Sequence, residues 1–428
     1  MKAMHNSDLK AILLVGGRGS RLACLYPDVP KPLVPVAGIP VLERQLRMLR
    51  REGVRDVVLV CGHLAQQIKD FCGSGERFGL RIEYYTETAP LGTGGALFCL
   101  DLREDFLLLS GDLVFDVDLG SMLDFHVRNG ALATLFAHPN THPLDSTRIV
   151  ADADARVTAF CRADGNAAAA HNLSNAGIAI LSPALLAQCT PRQPADLDRD
   201  ILQPSVRSGR VFAYRSCEYV KDMGTPQRLR EVERDLARGL PEMRQKNRPK
   251  SAVFLDRDGT LNVYKGYITK PRDLELIDGA AEAVRHINET GRLAVLVTNQ
   301  PVVARGGCTL AGLEEIHCRL EALLGEAGAY LDAIYFCPHH PDKGFAGENP
   351  LYKTECECRK PKPGMLLRAA KEWNIDLSSS YMVGDTERDV RTALAAGCVP
   401  VLLSGRPDDP AACGAQIYPS LRRFVRTL

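Results

Sequence analysis

Short apolar runs that each end in a glycine turn or a carboxylate recur along this chain, and they recur in two separate series. Residues 11–15 run into G-G-R-G-S-R-L at 16–22, and residues 106–112 read F-L-L-L-S-G-D. In the second series residues 251–262 read S-A-V-F-L-D-R-D-G-T-L-N, residues 294–297 lead into T-N-Q, and residues 381–383 lead into G-D-T-E-R-D. Runs bounded in this way read as buried strands, and loops beyond the C-terminal ends of parallel strands are where α/β proteins build their sites. Leu42, Leu46 and Leu49 recur at helical spacing between the first runs. The rhythm is β-α-β, so the expected fold class is α/β.

Length and charge narrow this further. A chain of 428 residues is too long for one ordinary core, which by length alone points to two domains or three. Lys and Arg total 53 against 52 for Asp and Glu, so no overall field recruits nucleic acid or an anionic membrane, and no such partner is expected. No apolar run approaches the ~20 residues of a membrane helix, and the start, M-K-A-M-H-N-S-D, has no signal-peptide core. A cytoplasmic location is expected. Most of the 14 cysteines, such as Cys61, Cys99, Cys189 and Cys398, stand singly in apolar segments and read as reduced core thiols. Leu229, Val232 and Leu236 keep a helical stripe, whereas the run after Gly239 and Pro241 is polar and basic and reads as a solvated linker. The expected domains are 1–238 and 251–428, joined by a linker at 239–250.

In the first domain, Gly16, Gly17 and Gly19 would let backbone N–H groups approach phosphates, and Arg21 adds a charge. Lys31, held between prolines in V-P-K-P-L, adds a second. An ordinary strand-to-helix loop with a surface lysine is the alternative for these residues alone. A second glycine turn, P-L-G-T-G-G-A-L at 90–97, contains Gly92 and is expected to open a helix. Asp112 ends the F-L-L-L-S-G-D run, and Asp222 in V-K-D-M-G-T-P is the carboxylate that could join it on a metal. These motifs, with S-N-A-G around Asn175 and Gly177, resemble in order the sugar-1-phosphate nucleotidyltransferases, and the mannose/heptose-1-phosphate guanylyltransferases among them. The resemblance implies a Rossmann-like, GT-A-like mixed sheet. It also implies that the glycine turn, Arg21 and Lys31 hold a nucleoside triphosphate, that Asp112 and Asp222 hold Mg²⁺, and that Gly92, Glu87, Asn175 and Gly177 bind nucleotide or sugar. Relatives carry an F-x-E-K-P segment whose lysine contacts the sugar phosphate; here residues 159–166 read A-F-C-R-A-D-G-N, with Arg162 as a substitute.

In the second domain, the period of a strand places Asp256 and Asp258 on the same side at its C-terminal end, and Gly259 lets the backbone turn after them. For a bare D-x-D, a solvated Asp-Arg-Asp turn is the alternative. D-x-D-G-T, the strand ending in Thr298, R-K-P-K-P at 359–363 and G-D-x-x-x-D together match the four motifs of the haloacid dehalogenase superfamily. Y-K-G-Y, A-R-G, C-P-H-H-P and C-E-C-R-K-P-K-P-G-M make the closer resemblance to the heptose 1,7-bisphosphate phosphatases; histidinol-phosphate phosphatases share much of it. The resemblance implies a Rossmannoid parallel sheet with a zinc loop. Asp256 would be the nucleophile and Asp258 the proton carrier, with Thr298 and Lys360 on the phosphoryl oxygens and Arg359, Asn299, Lys265 and Tyr267 on the rest of the substrate. A dianionic phosphate cannot approach several carboxylates unaided, and Mg²⁺ on Asp256, the Asp258 carbonyl and Asp385 would resolve that repulsion. Asp389 is expected to order its loop. Relatives have T-N-Q-S-G-x-A-R-G, so Pro301 and Val302 depart from pattern, as does Thr386 where lysine is common.

Cys337-x-His339 and Cys356-x-Cys358 supply four zinc-type ligands in two close pairs. Four protein ligands leave no open position, so the expected zinc is structural. Cys308, Cys318, His340 and Trp373 receive structural readings. The function expected is bifunctional synthesis of nucleotide-activated heptose for a surface glycan such as lipopolysaccharide. One half would remove the 7-phosphate of heptose 1,7-bisphosphate through an aspartyl-phosphate, and the other would transfer a nucleotidyl group from a nucleoside triphosphate to the resulting sugar-1-phosphate. The rival is a histidinol-phosphate-like or other sugar phosphatase fused to a non-catalytic sugar-nucleotide-binding domain.

Overall fold

A computed structural model describes residues 5–143, 146–161, 170–344 and 346–428. The chain gathers into two compact units, one of residues 1–137, 149–160 and 175–245 and the other of 138–148, 161–174 and 246–428. The second unit therefore includes two segments that precede residue 238. Arg162 lies outside the described residues.

In the first unit β1 (Lys10–Leu14) is central, parallel to β2 (Asp56–Cys61) on one side and to β4 (Phe106–Ser110) on the other, and β3 (Arg81–Thr86) extends β2 in parallel. Strand β6 (Ser174–Leu181) runs antiparallel to β4, which makes the sheet mixed. Near-continuous apolar runs suit this position, since Ala11, Ile12 and Leu13 are all fully buried. Helix α1 (Val41–Arg51) buries Leu42, Leu46 and Leu49 in the same core. A smaller antiparallel pair, β5 (Leu113–Asp116) with β7 (Tyr219–Asp222), sets Asp222 opposite Leu113 and so brings the two distant carboxylate segments together.

The second unit carries a parallel six-stranded sheet among the described residues. Its order is β10 (Ala333–Cys337), β9 (Leu293–Asn299), β8 (Ala252–Leu255), β11 (Tyr381–Gly384), β12 (Val399–Leu403) and β13 (Gln416–Tyr418). All four side chains of β8 are buried, as a central strand covered on both faces requires. Asp256 follows at once, and its N–H still donates to the Val383 carbonyl at 3.0 Å. The strand ends thus deliver Asp256, Thr298 and the Gly384–Asp385 turn to one edge of the sheet.

Three expectations need correction. The glycine turn at 90–97 opens one 3₁₀ turn, Gly95–Phe98, in place of an α-helix, because successive glycines lose too much backbone freedom in a helix. The stretch 239–250 is not a solvated tether. After α2 (Pro226–Ala237), Leu240–Met243 is helical with Leu240 and Pro241 buried. Arg244 and Lys250 are buried as well, and the Lys250 ammonium donates to the carbonyls of Lys246 and Arg248 at 3.3 and 2.8 Å. Long cationic side chains bury their aliphatic stems when backbone carbonyls receive the charge. Among the single cysteines, Cys61 and Cys398 are core, but Cys99 is exposed and Cys189 half-buried. Among the described residues, no helix is long and apolar enough to cross a membrane.

Phe254 is fully exposed to the core and not to solvent. Phe254→Ala should cost about 3–5 kcal/mol, read as a lower urea midpoint of the second unit; a loss under about 1 kcal/mol would show that β8 does not anchor this core.

Candidate active sites

The second unit's site is built on strand ends. Lys360 Nζ, fully buried, donates to Asp256 Oδ1 at 2.9 Å, to Asp389 Oδ1 at 2.6 Å and to the Val297 carbonyl at 3.0 Å. Asp389 opens helix α4 (Glu387–Ala396) and also accepts from the Thr386 N–H and hydroxyl, so the loop after β11 is closed by a reciprocal cap. Oxygens of Asp256, Asp385 and Asp389 lie within 4.8 Å of one another. Asp389 therefore both orders its loop and joins the carboxylate group, a double role the G-D-x-x-x-D spacing alone does not display. Gly259, at φ +82°, is crowded here: a Cβ would sit 2.0 Å from Asp385 Oδ2. Only glycine permits that approach.

Burial pushes the Asp256 carboxyl up to about 6 against the pull of Lys360, with Asp389 adding to the rise. Burial and Asp389 likewise raise Asp385 to about 6. Lys360 moves the other way: burial works against its charge, but Asp256 and Asp389 outweigh it and hold it above its ordinary value. Asp385 Oδ1 is buried without a hydrogen-bond partner. Three crowded carboxylates, one lysine and an unpartnered buried oxygen fit the hard-oxygen donor set that Mg²⁺ takes.

The Asp258 carboxylate turns elsewhere. It accepts from Arg257 Nη2 at 3.0 Å, from Gln300 Nε2 at 2.8 Å and from Asn262 Nδ2 at 3.1 Å, and it is not in the carboxylate group of Asp256. Gln300 also donates to Thr298 Oγ1 at 2.9 Å and accepts from Arg257 at 2.9 Å. Sequence reading passed over Arg257 and Gln300, although both stand inside its motifs, D-R-D and T-N-Q. Their types were visible; that a fully buried guanidinium would tie the two motifs together was not. The Asn299 side chain does not face open space but bridges the Lys360 backbone, donating to its carbonyl and accepting from its N–H, each at 3.0 Å. Arg359 donates to the His339 carbonyl at 3.1 Å. Lys265 pairs with Glu275, and the exposed Tyr267 ring lies 5.5 Å from the Arg305 guanidinium; these contacts do not bring either to Asp256. Val302 is absorbed by a small core with Val303 and Leu313.

The four-ligand loop closes as its spacing predicts. Cys337 and Cys356 sulfurs are 3.5 Å apart, Cys356 and Cys358 3.3 Å, and His339 Nδ1 lies 3.6 and 3.4 Å from Cys337 and Cys358. These separations are far too long for a disulfide, about 2.05 Å, and close to the edges of a tetrahedron with ~2.3 Å zinc–sulfur arms. The donor set fits zinc.

In the first unit, cations and carboxylates meet at Gly224. A Cβ there would lie 2.8 Å from Asp222 Oδ1, 3.2 Å from Arg21 Nη2 and 3.3 Å from Lys31 Nζ. Lys31 pairs with Asp112, and Arg228 holds both oxygens of Asp222 at 3.0 Å. The Met223 N–H donates to the Asp112 carbonyl at 3.1 Å. Gly17 is exposed with open space beside it, and Gly19 (φ +61°) packs on the Lys31 stem. Gly16 faces Gly62 and the Glu87 carboxylate, which burial raises. Asn175 and Gly177 line a cavity of about 190 Å³ together with Thr93, Ser110 and Asp198. Gly92 (φ +78°) packs too closely on the Ala195 carbonyl to admit a side chain. Asp198, which accepts from Asn175 at 3.2 Å, was missed; the D-L-D-R-D run carried the only signal.

A nucleotidyl transferase family model matches residues 10–239, and a HAD-hydrolase-like model matches residues 357–421. Over 158 residues the chain is 46% identical to the D-glycero-beta-D-manno-heptose-1,7-bisphosphate 7-phosphatase of Yersinia pestis, across 36% of this chain and 82% of that protein. The chain belongs to the nucleotidyl transferase and heptose-bisphosphate phosphatase families. Among solved structures, HddC from Yersinia pseudotuberculosis aligns with 53% of this chain and 99% of its own at 22% identity and a TM-score of 0.46. The D,D-heptose 1.7-bisphosphate phosphatase from B. bronchiseptica, complexed with magnesium and phosphate, aligns with 42% of this chain and 97% of its own at 30% identity and a TM-score of 0.35.

The raised carboxyls of the phosphatase half set a pH dependence. Asp256 and Asp385 hold protons in the folded chain up to about pH 6, whereas the unfolded chain releases them near 3.8. Without metal, stability therefore falls as pH rises between those values. A bound divalent cation needs the ionised forms. The gain in melting temperature on adding Mg²⁺ should be larger at pH 7.5 than at pH 5; equal gains would contradict this account of the site.

Proposed function

We propose that the chain is a bifunctional enzyme of activated-heptose synthesis. Its phosphatase half hydrolyses the 7-phosphate of D-glycero-D-manno-heptose 1,7-bisphosphate, and its nucleotidyl transferase half joins a nucleoside triphosphate to the heptose-1-phosphate that remains. The observation that supports the first activity best is the Asp256 carboxylate held beside the buried Lys360 ammonium at the end of β8. A carboxylate so placed can attack phosphorus in line and carry the phosphoryl group as an aspartyl-phosphate. Lys360 would neutralise the phosphoryl oxygens. The Thr298 hydroxyl accepts from Gln300, which leaves its own hydrogen to donate to them. Asp258, fixed by Arg257, Gln300 and Asn262, would give a proton to the leaving oxygen and take one from the water that cleaves the acyl phosphate. Mg²⁺, held by Asp256, Asp385 and the Asp258 carbonyl with Asp389 behind them, would supply charge neutralisation between substrate and carboxylates. Arg359 would grip the rest of the substrate, while Asn299 acts through the Lys360 backbone.

In the other half Arg21 and Lys31 would hold the triphosphate from the glycine turn, and Asp112 and Asp222 would hold Mg²⁺ once the phosphates draw Lys31 away. The attack on the α-phosphate needs little proton transfer but much charge neutralisation, which these residue types supply. Glu87, Asn175 and Gly177 would face the sugar. The convergence of Arg21, Lys31 and Asp222 at Gly224 favours turnover over a non-catalytic binding domain. The Cys337, His339, Cys356 and Cys358 set would hold a structural zinc next to Arg359, which suits a reducing cytoplasm. The domain limits 1–238 and 251–428 belong to the same reading.

Asp256→Asn should lower phosphate release from heptose 1,7-bisphosphate at least about 1000-fold while leaving the folded state intact; release at the wild-type rate would remove Asp256 as nucleophile. Elemental analysis of purified chain should find one zinc per molecule, lost in Cys356→Ser; wild-type protein without zinc would refute the loop's assignment.

A further inference from the structure

One buried histidine takes no part in the chemistry above. His317 sits on helix α3 (Leu310–Glu326) with no exposed surface, and neither of its ring nitrogens has a hydrogen-bond partner. The same is true of one nitrogen of a neighbour: Arg257, equally buried, satisfies Nε and Nη2 on Asp258 and Gln300, but its Nη1 has no acceptor. Buried polar atoms without partners are costly and rare, so an orphaned donor and an orphaned acceptor in one unit call for an explanation.

Packing puts the two in one neighbourhood. The His317 ring lies 5.3 Å from the Phe336 ring. Phe336 is the register partner of Thr298, and Thr298 is bonded to the Gln300 that also holds Arg257. The charge of Arg257 bears on His317, and together with burial, the larger effect, it keeps the imidazole neutral. On the opposite side Glu314 Oε2 stands 3.8 Å from His317 Nδ1. That carboxylate is itself fixed by His171 Nε2 at 3.1 Å, and Glu321 holds His171 Nδ1 at 2.6 Å. Burial opposes ionisation of Glu314, yet the hydrogen bond from His171 and the nearby His317 ring bring it down to about 2. The groups facing His317 are thus an anion beside Nδ1 and a guanidinium, with His171 further out. A neutral imidazole between an anion and a cation places its N–H toward the anion and its lone pair toward the cation.

We propose that His317, as the Nδ1–H tautomer, is a positioning residue for the phosphatase reaction: its Nε2 accepts, through one buried water, from Arg257 Nη1, and so fixes the arm that holds Asp258. A site between two polar partners is one that a buried water can fill. The arrangement makes Asp258's orientation depend on a residue that touches neither substrate nor metal. It rests on the phosphatase reading above.

The test uses the full chain and two substitutions. His317→Leu keeps volume and removes the acceptor, whereas His317→Gln can set its amide oxygen near the position of Nε2. Phosphate release from heptose 1,7-bisphosphate with Mg²⁺ should show kcat lowered about 10- to 100-fold in His317→Leu with KM within about two-fold, the scale on which supporting hydrogen-bond partners act. His317→Gln should recover most of that loss. Equal kcat in wild type and His317→Leu, or equal losses in both variants, would overturn the proposal. ¹⁵N NMR of histidine-labelled wild-type chain, without substrate or metal, reads the same bond even where His317→Leu fails to fold. A protonated Nδ1 with a hydrogen-bonded Nε2 is expected, and an Nε2–H or doubly protonated ring would refute it. Wild-type chain that releases no phosphate would sink the phosphatase reading, while the NMR result would still judge the hydrogen bond.

Discussion

The second unit depends on one buried ammonium. Lys360 lies among Asp256, Asp389 and the Val297 carbonyl, and these groups come from four separate segments: the ends of β8 and β9, the R-K-P-K-P loop and the first turn of α4. Removing either charge partner from such a cluster leaves the rest uncompensated in a low-dielectric setting, which is far worse than never having buried it. The arrangement is therefore hard to justify as a stability device. It becomes intelligible as a place kept electrostatically ready for an anion and a cation to arrive together.

Much of this was legible in the sequence because chemistry sat at strand ends. Asp256, Thr298 and Asp385 each follow an apolar run, and a parallel sheet brings such ends to one edge whatever the loops do. The zinc-type cluster was legible for a different reason: ligand pairs with one intervening residue constrain the geometry themselves. What could not be read was orientation. The D-x-D spacing suggested two carboxylates side by side, yet Asp258 turns to Arg257, because the strand ends at Leu255 and the period of a strand no longer applies beyond it. Asn299 was taken for a substrate contact on its motif, and its amide is spent on the Lys360 backbone. Pro301 and Val302 depart from the family pattern, and that Val302 fills a small core could not be read from the motif.

The first unit shows the same division. Lys31 and the carboxylate segments at 112 and 222 come together here, and the β5–β7 pairing explains how residues so far apart in sequence meet. The basic run at 239–250 misled because composition counts charges and not stems: Arg244 and Lys250 are buried along their length. Two segments before residue 238 belong to the second unit, and no periodicity or composition marks them.

The two activities are chemically consecutive, since the sugar-1-phosphate left by one is the acceptor of the other. The most direct test feeds the full chain heptose 1,7-bisphosphate and Mg²⁺ with each nucleoside triphosphate in turn and identifies products by mass. The account predicts inorganic phosphate with every triphosphate, and pyrophosphate with a nucleotide-activated heptose for at least one. Bisphosphate recovered intact, or heptose-1-phosphate accumulating with no nucleotide adduct from any triphosphate, would contradict it.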